Sequence, residues 1–261
     1  MKKIFKKRRE LKSKFKSRKK MFAGWISFSH PSITEIFANM NIDFIAIDME
    51  HSTISLDQAQ RIIAASQSLN VPCLPRPVSH SNDYFKPLLD SGADGLIITT
   101  VENSNQVEDI VNNIKFPNIG KRTYGVNRAH NYGFDTIKYY NDWNSSSLVI
   151  PQIETKLGID NLEEILKHKE VDGVMVGPYD LSGSLGIPGD FKNKIYMDAC
   201  RHLIGMCKKY KKSCGTQISK VDRDSISLNL DLGFNFIVLA SDLFVLWDWA
   251  DNTNKLISDI Q

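Results

Sequence analysis

The sequence predicts a single (β/α)8 barrel, and three features of the chain support this fold class. From residue 24 onward, eight short apolar runs alternate with longer segments of helical periodicity. This alternation is typical of parallel strands joined by crossover helices. A length of 261 residues suits one such barrel. The motifs G-x-G-x-x-G and G-x-x-x-x-G-K-[ST] do not occur, which disfavours the alternative of a doubly wound open sheet.

The strands are predicted from runs of five to seven residues rich in Val, Ile, Leu and Phe. They are placed at 24–28, 44–48, 71–76, 95–99, 148–154, 173–177, 214–218 and 236–241. Helices are placed at 31–40, 56–68, 81–92, 103–114, 158–169, 192–212, 223–233 and 243–260. Gly92, Gly158 and Gly233 stand where helix ends or turns favour a residue that tolerates positive φ.

The first twenty residues differ from the rest in charge. They hold twelve Lys or Arg and one Glu, a net charge of +11, so that the other 241 residues carry −8 of the whole-chain +3. We interpret residues 1–20 as a basic N-terminal extension, a solvated helix with apolar anchors at Ile4, Phe5, Leu11 and Phe15. Such a block can bind anionic surfaces, but membrane contact is the less favoured interpretation. The acidic remainder, residues 21–261, makes nucleic acid an unexpected partner.

The cysteines indicate a reducing compartment. Cys73, Cys200, Cys207 and Cys214 form no C-x-x-C pair and show no zinc-ligand spacing. A disulfide framework is therefore not expected, and a cytoplasmic location is predicted. No apolar run approaches the roughly 20 residues that a membrane-spanning helix needs.

One irregular stretch, residues 116–136, is long for a loop inside a compact domain. It contains Arg122, Arg128 and His130 as well as three glycines. Long loops in compact domains are often functional. We expect this one to form a lid or a wall of the substrate site.

Polar side chains collect at the ends of several predicted strands. Strand two ends in Asp48, Glu50 and His51, and strand three in Arg76. Strand five supplies Gln152 and Glu154, and the segment after strand six supplies Asp180 and Ser182. In a (β/α)8 barrel the carboxyl ends of the strands form the active-site face. The sequence therefore predicts a single mouth that carries carboxylates, an imidazole and a guanidinium.

The chemistry of these groups suggests a metal-assisted reaction. Glu154 and Asp180 come from adjacent strands, and two carboxylates plus water and substrate commonly hold Mg²⁺ or Mn²⁺. Arg76 has a planar fork suited to a carboxylate or an enolate oxygen. His51 beside a carboxylate is suited to act as a general base. Taken singly, each group could equally be a salt-bridged or hydrogen-bonded structural residue.

The motifs "FIAIDMEHS", "PRP", "LLDSGADG", "KRTYGVNRAHNYG", "PQIETK" and "GPYDLSGSLG" occur in an order that resembles the HpcH/HpaI aldolases. The resemblance extends from about residue 11 to the C-terminus. It implies a class II, metal-dependent pyruvate aldolase that cleaves 4-hydroxy-2-oxo acids or 2-keto-3-deoxy sugar acids to pyruvate and an aldehyde. The implied cofactor is Mg²⁺, Mn²⁺ or Co²⁺.

The resemblance also implies a role for each matching residue. Glu154 and Asp180 match the metal ligands, and Arg76 matches the arginine that binds the pyruvyl oxygen. His51 matches the catalytic histidine and Asp90 the acid that pairs with it. Further matches to the substrate-binding region are Asp48, Glu50, Gln152, Gly177 and Tyr179, of which Asp48 and Glu50 support the histidine and the metal waters.

The family further implies a homo-oligomer, a trimer of dimers, in which C-terminal helices are exchanged between subunits. The apolar segment 243–257 suits such a helix. Met49 and Tyr179 depart from the small residues common at these positions, which leaves substrate preference open.

Three alternatives remain. One is another C–C lyase or a decarboxylase on the same scaffold, of the citramalyl type. A second is a Schiff-base aldolase, which is disfavoured because no predicted strand contains a lysine. The third is a non-catalytic barrel with a basic arm that binds a membrane or another partner.

Overall fold

A computed structural model describes residues 2–260 of the chain. Within them, eight parallel strands form a nearly closed barrel, so the predicted fold class is confirmed. The strands are β1 (Met21–Ile26), β2 (Phe44–Asp48), β3 (Cys73–Arg76), β4 (Gly95–Ile98), β5 (Leu148–Ile153), β6 (Gly173–Val176), β7 (Ser213–Ile218) and β8 (Phe236–Leu239). Each overlaps the segment predicted for it.

The strands follow one another around the barrel in the order β3-β2-β1-β8-β7-β6-β5-β4. The regular ladder is interrupted between β3 and β4. Asp94 bridges this interruption, because its backbone N–H donates to Cys73 O at 2.9 Å. Its carboxylate Oδ2 accepts from the Cys73 N–H at 3.0 Å.

Helices surround the barrel and alternate with the strands. They are α1 (Lys2–Lys16), α2 (Pro31–Ala38), α3 (Leu56–Ser68), α4 (Asn82–Asp90), α5 (Ser104–Ile114), α6 (Thr136–Ser146), α7 (Lys156–Asp160), α8 (Leu162–Lys167), α9 (Pro178–Ser184), α10 (Lys194–Lys209), α11 (Arg223–Leu232) and α12 (Asp242–Ile260). The sequence did not predict α6 and α9. The helix predicted at 158–169 is two helices, since Asn161 has φ −95° and ψ 11° and interrupts it.

The core has two layers because the side chains of each strand alternate in direction. In β2, Phe44 and Ala46 point into the barrel interior. Ile45 and Ile47 point outward and pack against the surrounding helices. The five residues of β2 are all buried, as expected for a strand covered on both faces.

Helix α1 packs across the N-terminal end of the barrel. Its residue Phe15 enters the barrel, with ring centroids 6.1 Å from Phe44 and 5.3 Å from Phe236. The four anticipated apolar anchors are buried. The expectation that the basic helix is solvated was wrong for its inner face, where Arg8 and Lys12 are also buried. The division of the chain at residue 20 stays a prediction.

The segment 116–136 lies at this same end of the barrel. Arg122 Nη2 donates to Asp90 Oδ1 at 2.7 Å, and Arg128 Nη1 donates to Ser91 O at 2.9 Å. Both partners lie at or just beyond the end of α4, next to the N-terminal end of β4. The expectation of a lid or substrate wall over the chain's own site was therefore wrong.

Helix α12 extends from the C-terminal end of β8 and exposes much of its apolar surface. Trp247 and Trp249 are 62% and 67% exposed. Among the helices of residues 2–260, none is both long and apolar enough to span a bilayer. The exchange of α12 between subunits stays a prediction.

Candidate active site

A cavity of about 880 Å³ opens at the C-terminal ends of the strands. Its lining includes the predicted residues Asp48, His51, Arg76, Gln152, Gly177, Tyr179 and Asp180. Glu50 and Glu154 contact this group, as described below. The parallel strands thus bring together side chains that lie far apart in the sequence.

Arg76 ends β3 and is held by two carboxylates that follow β2. Its Nη2 lies 2.7 Å from Asp48 Oδ1, and its Nη1 lies 2.9 Å from Glu50 Oε2. The indole of Trp25 lies under the guanidinium at 4.8 Å. Arg76 is buried, and its Nε has no hydrogen-bond partner among the described residues. A buried N–H donor without a partner costs free energy. A substrate oxygen that accepts a hydrogen bond from Nε would remove this cost.

Asp48 organises the end of β2. Its Oδ1 accepts from the backbone N–H groups of Glu50 and His51 at 3.1 and 3.0 Å, which shapes the turn that presents both residues. Burial by itself raises the pKa of Asp48. The positive charge of Arg76 and the donated hydrogen bonds outweigh burial, so the pKa lies below its usual value. Asp48 is therefore ionised at neutral pH and keeps Arg76 in place.

Glu154 follows β5 and is buried, with its two oxygens in different surroundings. Oε1 accepts from Thr100 N at 2.6 Å, from Thr100 Oγ1 at 2.8 Å and from Thr99 Oγ1 at 2.9 Å. Oε2 accepts from the Gln152 amide. The Gln152 Oε1 in turn accepts from Arg76 Nη1 at 3.4 Å. Gln152 therefore joins the carboxylate to the guanidinium.

Gly177 makes room beside Glu154. A Cβ at this position would lie 2.3 Å from Glu154 Oε2 and 2.7 Å from Gln152 Nε2, so a larger residue does not fit. Asp180 stands in the first turn of α9, which begins directly after Gly177. The loop after β6 thus leaves space beside Glu154 Oε2 and places the Asp180 carboxylate in the cavity lining.

His51 and Asp90, which were expected to pair, lie apart in this chain. His51 is at the mouth with its side chain 62% exposed, and its Nε2 lies 3.6 Å from Glu50 Oε2. Asp90 ends α4 at the opposite end of the barrel, where Arg122 pairs with it. The chain therefore places Glu50, and not Asp90, beside His51.

Three supporting residues were not found from the sequence. Trp25 Nε1 donates to Asp48 Oδ2 at 3.3 Å. Thr99 Oγ1 lies 2.5 Å from Glu50 Oε1, in addition to its contact with Glu154. Thr100 has φ 48°, a left-handed conformation that is uncommon for a β-branched residue. This unusual backbone at the end of β4 lets both the N–H and the hydroxyl of Thr100 face Glu154.

The donor set fits a hard divalent cation. Within residues 2–260, no group of three or more His, Cys, Asp or Glu side chains is arranged to hold a metal ion. Asp180 lines the cavity, Glu154 contacts the cavity residue Gln152, and the space that Gly177 leaves open adjoins Glu154 Oε2. Mg²⁺ is usually held by one or two carboxylates and otherwise by water and substrate. The two ligands therefore suit this class of ion better than a structural zinc ion.

The fold and the site define a class of protein: a (β/α)8 barrel with a carboxylate-lined mouth and one clamped arginine. The family model described as HpcH/HpaI aldolase/citrate lyase matches residues 21–248. The chain therefore belongs to this family.

Individual relatives agree with this assignment. The hydroxypyruvate/pyruvate aldolase of Roseobacter denitrificans is 30% identical over 91% of this chain and 91% of its own length. The 2-keto-3-deoxy-L-rhamnonate aldolase of Escherichia coli is 30% identical over 87% of this chain and 85% of its own. A solved HpcH/HpaI aldolase/citrate lyase family protein from Burkholderia cenocepacia shares the fold at a TM-score of 0.88. It is 23% identical, covering 96% of this chain and 99% of that one.

Proposed function

We propose that this protein is a metal-dependent aldolase that reversibly cleaves a 4-hydroxy-2-oxo acid, or a 2-keto-3-deoxy sugar acid, to pyruvate and an aldehyde. The observation that carries the proposal is the unpaired buried Nε of Arg76 in a cavity that Asp180 also lines, with Glu154 joined to Arg76 through the cavity residue Gln152. The names of the two curated relatives, both aldolases, support the same reaction class.

Glu154 and Asp180 are the residues that would hold the divalent cation. When bound, Mg²⁺, Mn²⁺ or Co²⁺ would act as a Lewis acid on the 2-oxo group. The three donors to Glu154 Oε1 fix this carboxylate, so that its Oε2 is the oxygen available to the cation. Gln152 stabilises the same arrangement from the side of Arg76.

Arg76 stabilises the charge that develops during cleavage. As the C3–C4 bond of the substrate breaks, its electron pair moves into the C2–C3 bond and negative charge builds on the C2 oxygen of the pyruvate enolate. The guanidinium is prepositioned by Asp48 and Glu50, so it faces this charge without reorganisation. Trp25 packs on the guanidinium and limits its movement.

His51 is the base that takes the proton from the C4 hydroxyl of the substrate. Its imidazole lies at the mouth, and Glu50 lies close enough to stabilise the imidazolium that forms. In the reverse direction the same group returns the proton to the newly formed alkoxide. Because Asp90 lies at the far end of the chain's own barrel, its role as a partner of His51 is not part of this proposal.

The test is pyruvate release from a panel of 4-hydroxy-2-oxo acids and 2-keto-3-deoxy sugar acids, followed with lactate dehydrogenase. The assay is run with each of the three metals and again with EDTA. We expect activity that EDTA abolishes and added metal restores. Activity that resists the chelator would contradict metal dependence and favour a lysine mechanism. Metal binding without pyruvate from any substrate would favour a lyase or decarboxylase of the citramalyl type.

Two further properties belong to the proposal. The apolar face that α12 exposes supports assembly into a trimer of dimers with exchanged C-terminal helices. The four free cysteines, all buried, support a cytoplasmic location.

A further inference from the structure

The catalytic cavity continues beyond the charged residues into an apolar slot between α10 and α11. On one side the slot is lined by Tyr179, Phe191 and Tyr196, and on the other by Leu228, Leu232 and Phe234. The same cavity contains Arg76, Gln152 and Asp180, so the slot is continuous with the site. A ligand held by Arg76 can therefore extend into the slot.

The aromatic side of the slot is a connected set of rings. Tyr179 and Phe191 meet edge to face with centroids 5.0 Å apart, and Phe191 and Tyr196 are 5.5 Å apart. Such contacts hold each ring in a defined orientation. Tyr179 stands only two residues from Gly177, so the ring set begins at the charged end of the cavity.

The loop that carries Phe191 is held in place by hydrogen bonds to Ser182. The Ser182 hydroxyl donates to Tyr179 O at 2.8 Å and accepts from Gly189 N at 3.0 Å. The backbone of Ile187 donates to Ser182 O at 2.9 Å. Because these bonds tie the loop to α9, the aromatic wall is preorganised, which lowers the entropic cost of binding.

The opposite side of the slot carries an apolar stripe from α11. Leu228 and Leu232 are one helical turn apart on α11 and both line the cavity. Polar residues line the cavity here too, and two of them already have partners: the Asn229 Nδ2 donates to Ser225 O at 2.9 Å, and the Lys220 Nζ lies 3.5 Å from Asp222 Oδ2. Further polar residues here are Gln217, Ser219 and Ser225. Hydroxyl groups placed against Leu228 and Leu232 would lose hydrogen bonds to water, whereas an apolar ligand would gain by leaving water along this stripe.

We propose that this slot binds the aldehyde half of the substrate, an inference that rests on the proposed function. The slot selects aldehydes with an alkyl or aryl body over polyhydroxylated ones. The charged end holds the 2-oxo acid half, so the C3–C4 bond lies at the junction and the aldehyde carbon faces the slot. Phe191 and Leu228 are the specificity-determining residues, one from each side.

The experiment measures kcat/KM for aldol formation from pyruvate and a series of aldehydes: glycolaldehyde, glyceraldehyde, acetaldehyde, butanal, hexanal and benzaldehyde. We expect kcat/KM to rise along the alkyl series by about fourfold for each added methylene, the equivalent of about 0.8 kcal/mol. Hexanol, which cannot react, should inhibit competitively against the aldehyde.

The variants Leu228→Ser and Phe191→Ala should lower the ratio of kcat/KM for hexanal to that for acetaldehyde by about tenfold. Leu228 is 65% exposed, so its replacement leaves the core intact. Ile195→Ser is the matched control, because Ile195 is 54% exposed on α10 and does not line the cavity. The control should leave the ratio at the wild-type value.

Three results would overturn the inference in distinguishable ways. If glycolaldehyde or glyceraldehyde reacts at least as well as hexanal, the aldolase proposal stands and the role of the slot is wrong. If no aldehyde yields product under any metal condition, the proposed function fails and the slot proposal fails with it. An unchanged ratio in both variants would also overturn the assignment of Phe191 and Leu228.

Discussion

At the scale of single residues, Arg76 connects the charged groups of the site. Replacing it by lysine keeps a positive charge but removes the Nε donor and the fork that meets Asp48 and Glu50. We expect Arg76→Lys to lower kcat by about 100- to 1,000-fold, as for the loss of one oxyanion donor. The measurement is pyruvate release at saturating metal.

Arg61→Lys provides the control for this substitution. Arg61 pairs with Asp57 on the exposed surface of α3, where it is 65% exposed, and its variant should keep wild-type kcat. A fully active Arg76→Lys protein would show that the guanidinium does not face the developing charge.

Thr99 supports two carboxylates with one hydroxyl, which can donate only one hydrogen at a time. Thr99→Val should weaken Mn²⁺ binding by about 10- to 100-fold, the usual effect of losing a group that orients a metal ligand. Calorimetric titration of the metal-free protein measures this directly. Thr99→Ser restores the hydroxyl and should restore the affinity. Equal affinity in the valine variant would argue against Glu154 as a ligand.

Lys115 is buried at the opposite end of the barrel. Burial lowers its pKa to about 8, and the nearby Lys12 adds to this while Asp172 and Glu170 oppose it. The folded protein therefore releases this proton at lower pH than the unfolded chain. Between about pH 8 and 10.5 the unfolded state binds more protons, so this residue makes folding more favourable as pH rises.

We therefore expect the free energy of unfolding of the wild type to gain about 2 to 3 kcal/mol over Lys115→Met across this pH range. Urea denaturation of both proteins at several pH values measures the difference. A difference that does not change with pH would mean that Lys115 keeps its ordinary pKa.

At the scale of elements, α1 shows how a basic segment becomes part of the core. Arg8 lies 2.7 Å from Asp142 and 3.6 Å from Asp94, and all three side chains are buried. Arg8→Met would remove the paired cation of Asp94 and leave Asp142 with only the half-exposed Arg9. We expect a loss of about 3 to 5 kcal/mol in the free energy of unfolding, measured by urea denaturation.

Arg9→Met is a matched control for α1. Arg9 contacts the same Asp142 but is 52% exposed, so its loss should cost less than about 1 kcal/mol. An equal loss in the free energy of unfolding for Arg8→Met and Arg9→Met would show that burial does not account for the contribution of Arg8 to stability.

At the scale of the whole molecule, α12 determines the expected assembly. Its exposed Trp247 and Trp249 leave a large apolar surface in contact with water. Such surfaces usually mark an interface. We expect light scattering to give a mass near six times the 29.6 kDa chain, and Trp247→Glu combined with Trp249→Glu to give smaller species.

The control for α12 is Asn252→Glu, which adds a charge at a polar position of the same helix. It should leave the mass unchanged. A monomeric wild-type protein would contradict both the hexamer and the exchange of helices.

The barrel and most of the candidate site were predictable from the sequence, for a physical reason. Buried parallel strands require continuous apolar runs, and the polar residue that ends each run must lie at the same face as all the others. Asp48, Arg76 and Glu154 could therefore be assigned to one site from their positions alone.

The pairing of these groups became known from the three-dimensional structure and not from the sequence. The structure showed that Asp142 and Asp94 neutralise Arg8, that Thr99 and Thr100 hold Glu154, and that Asp90 pairs with Arg122. Residues 116–136 resembled a lid in composition, yet α5 returns the chain to the other end of the barrel before they begin. Hydrophobic periodicity reports whether a residue is buried and on which face. It carries no information about distances between side chains from different elements, which depend on how the helices pack around the closed sheet.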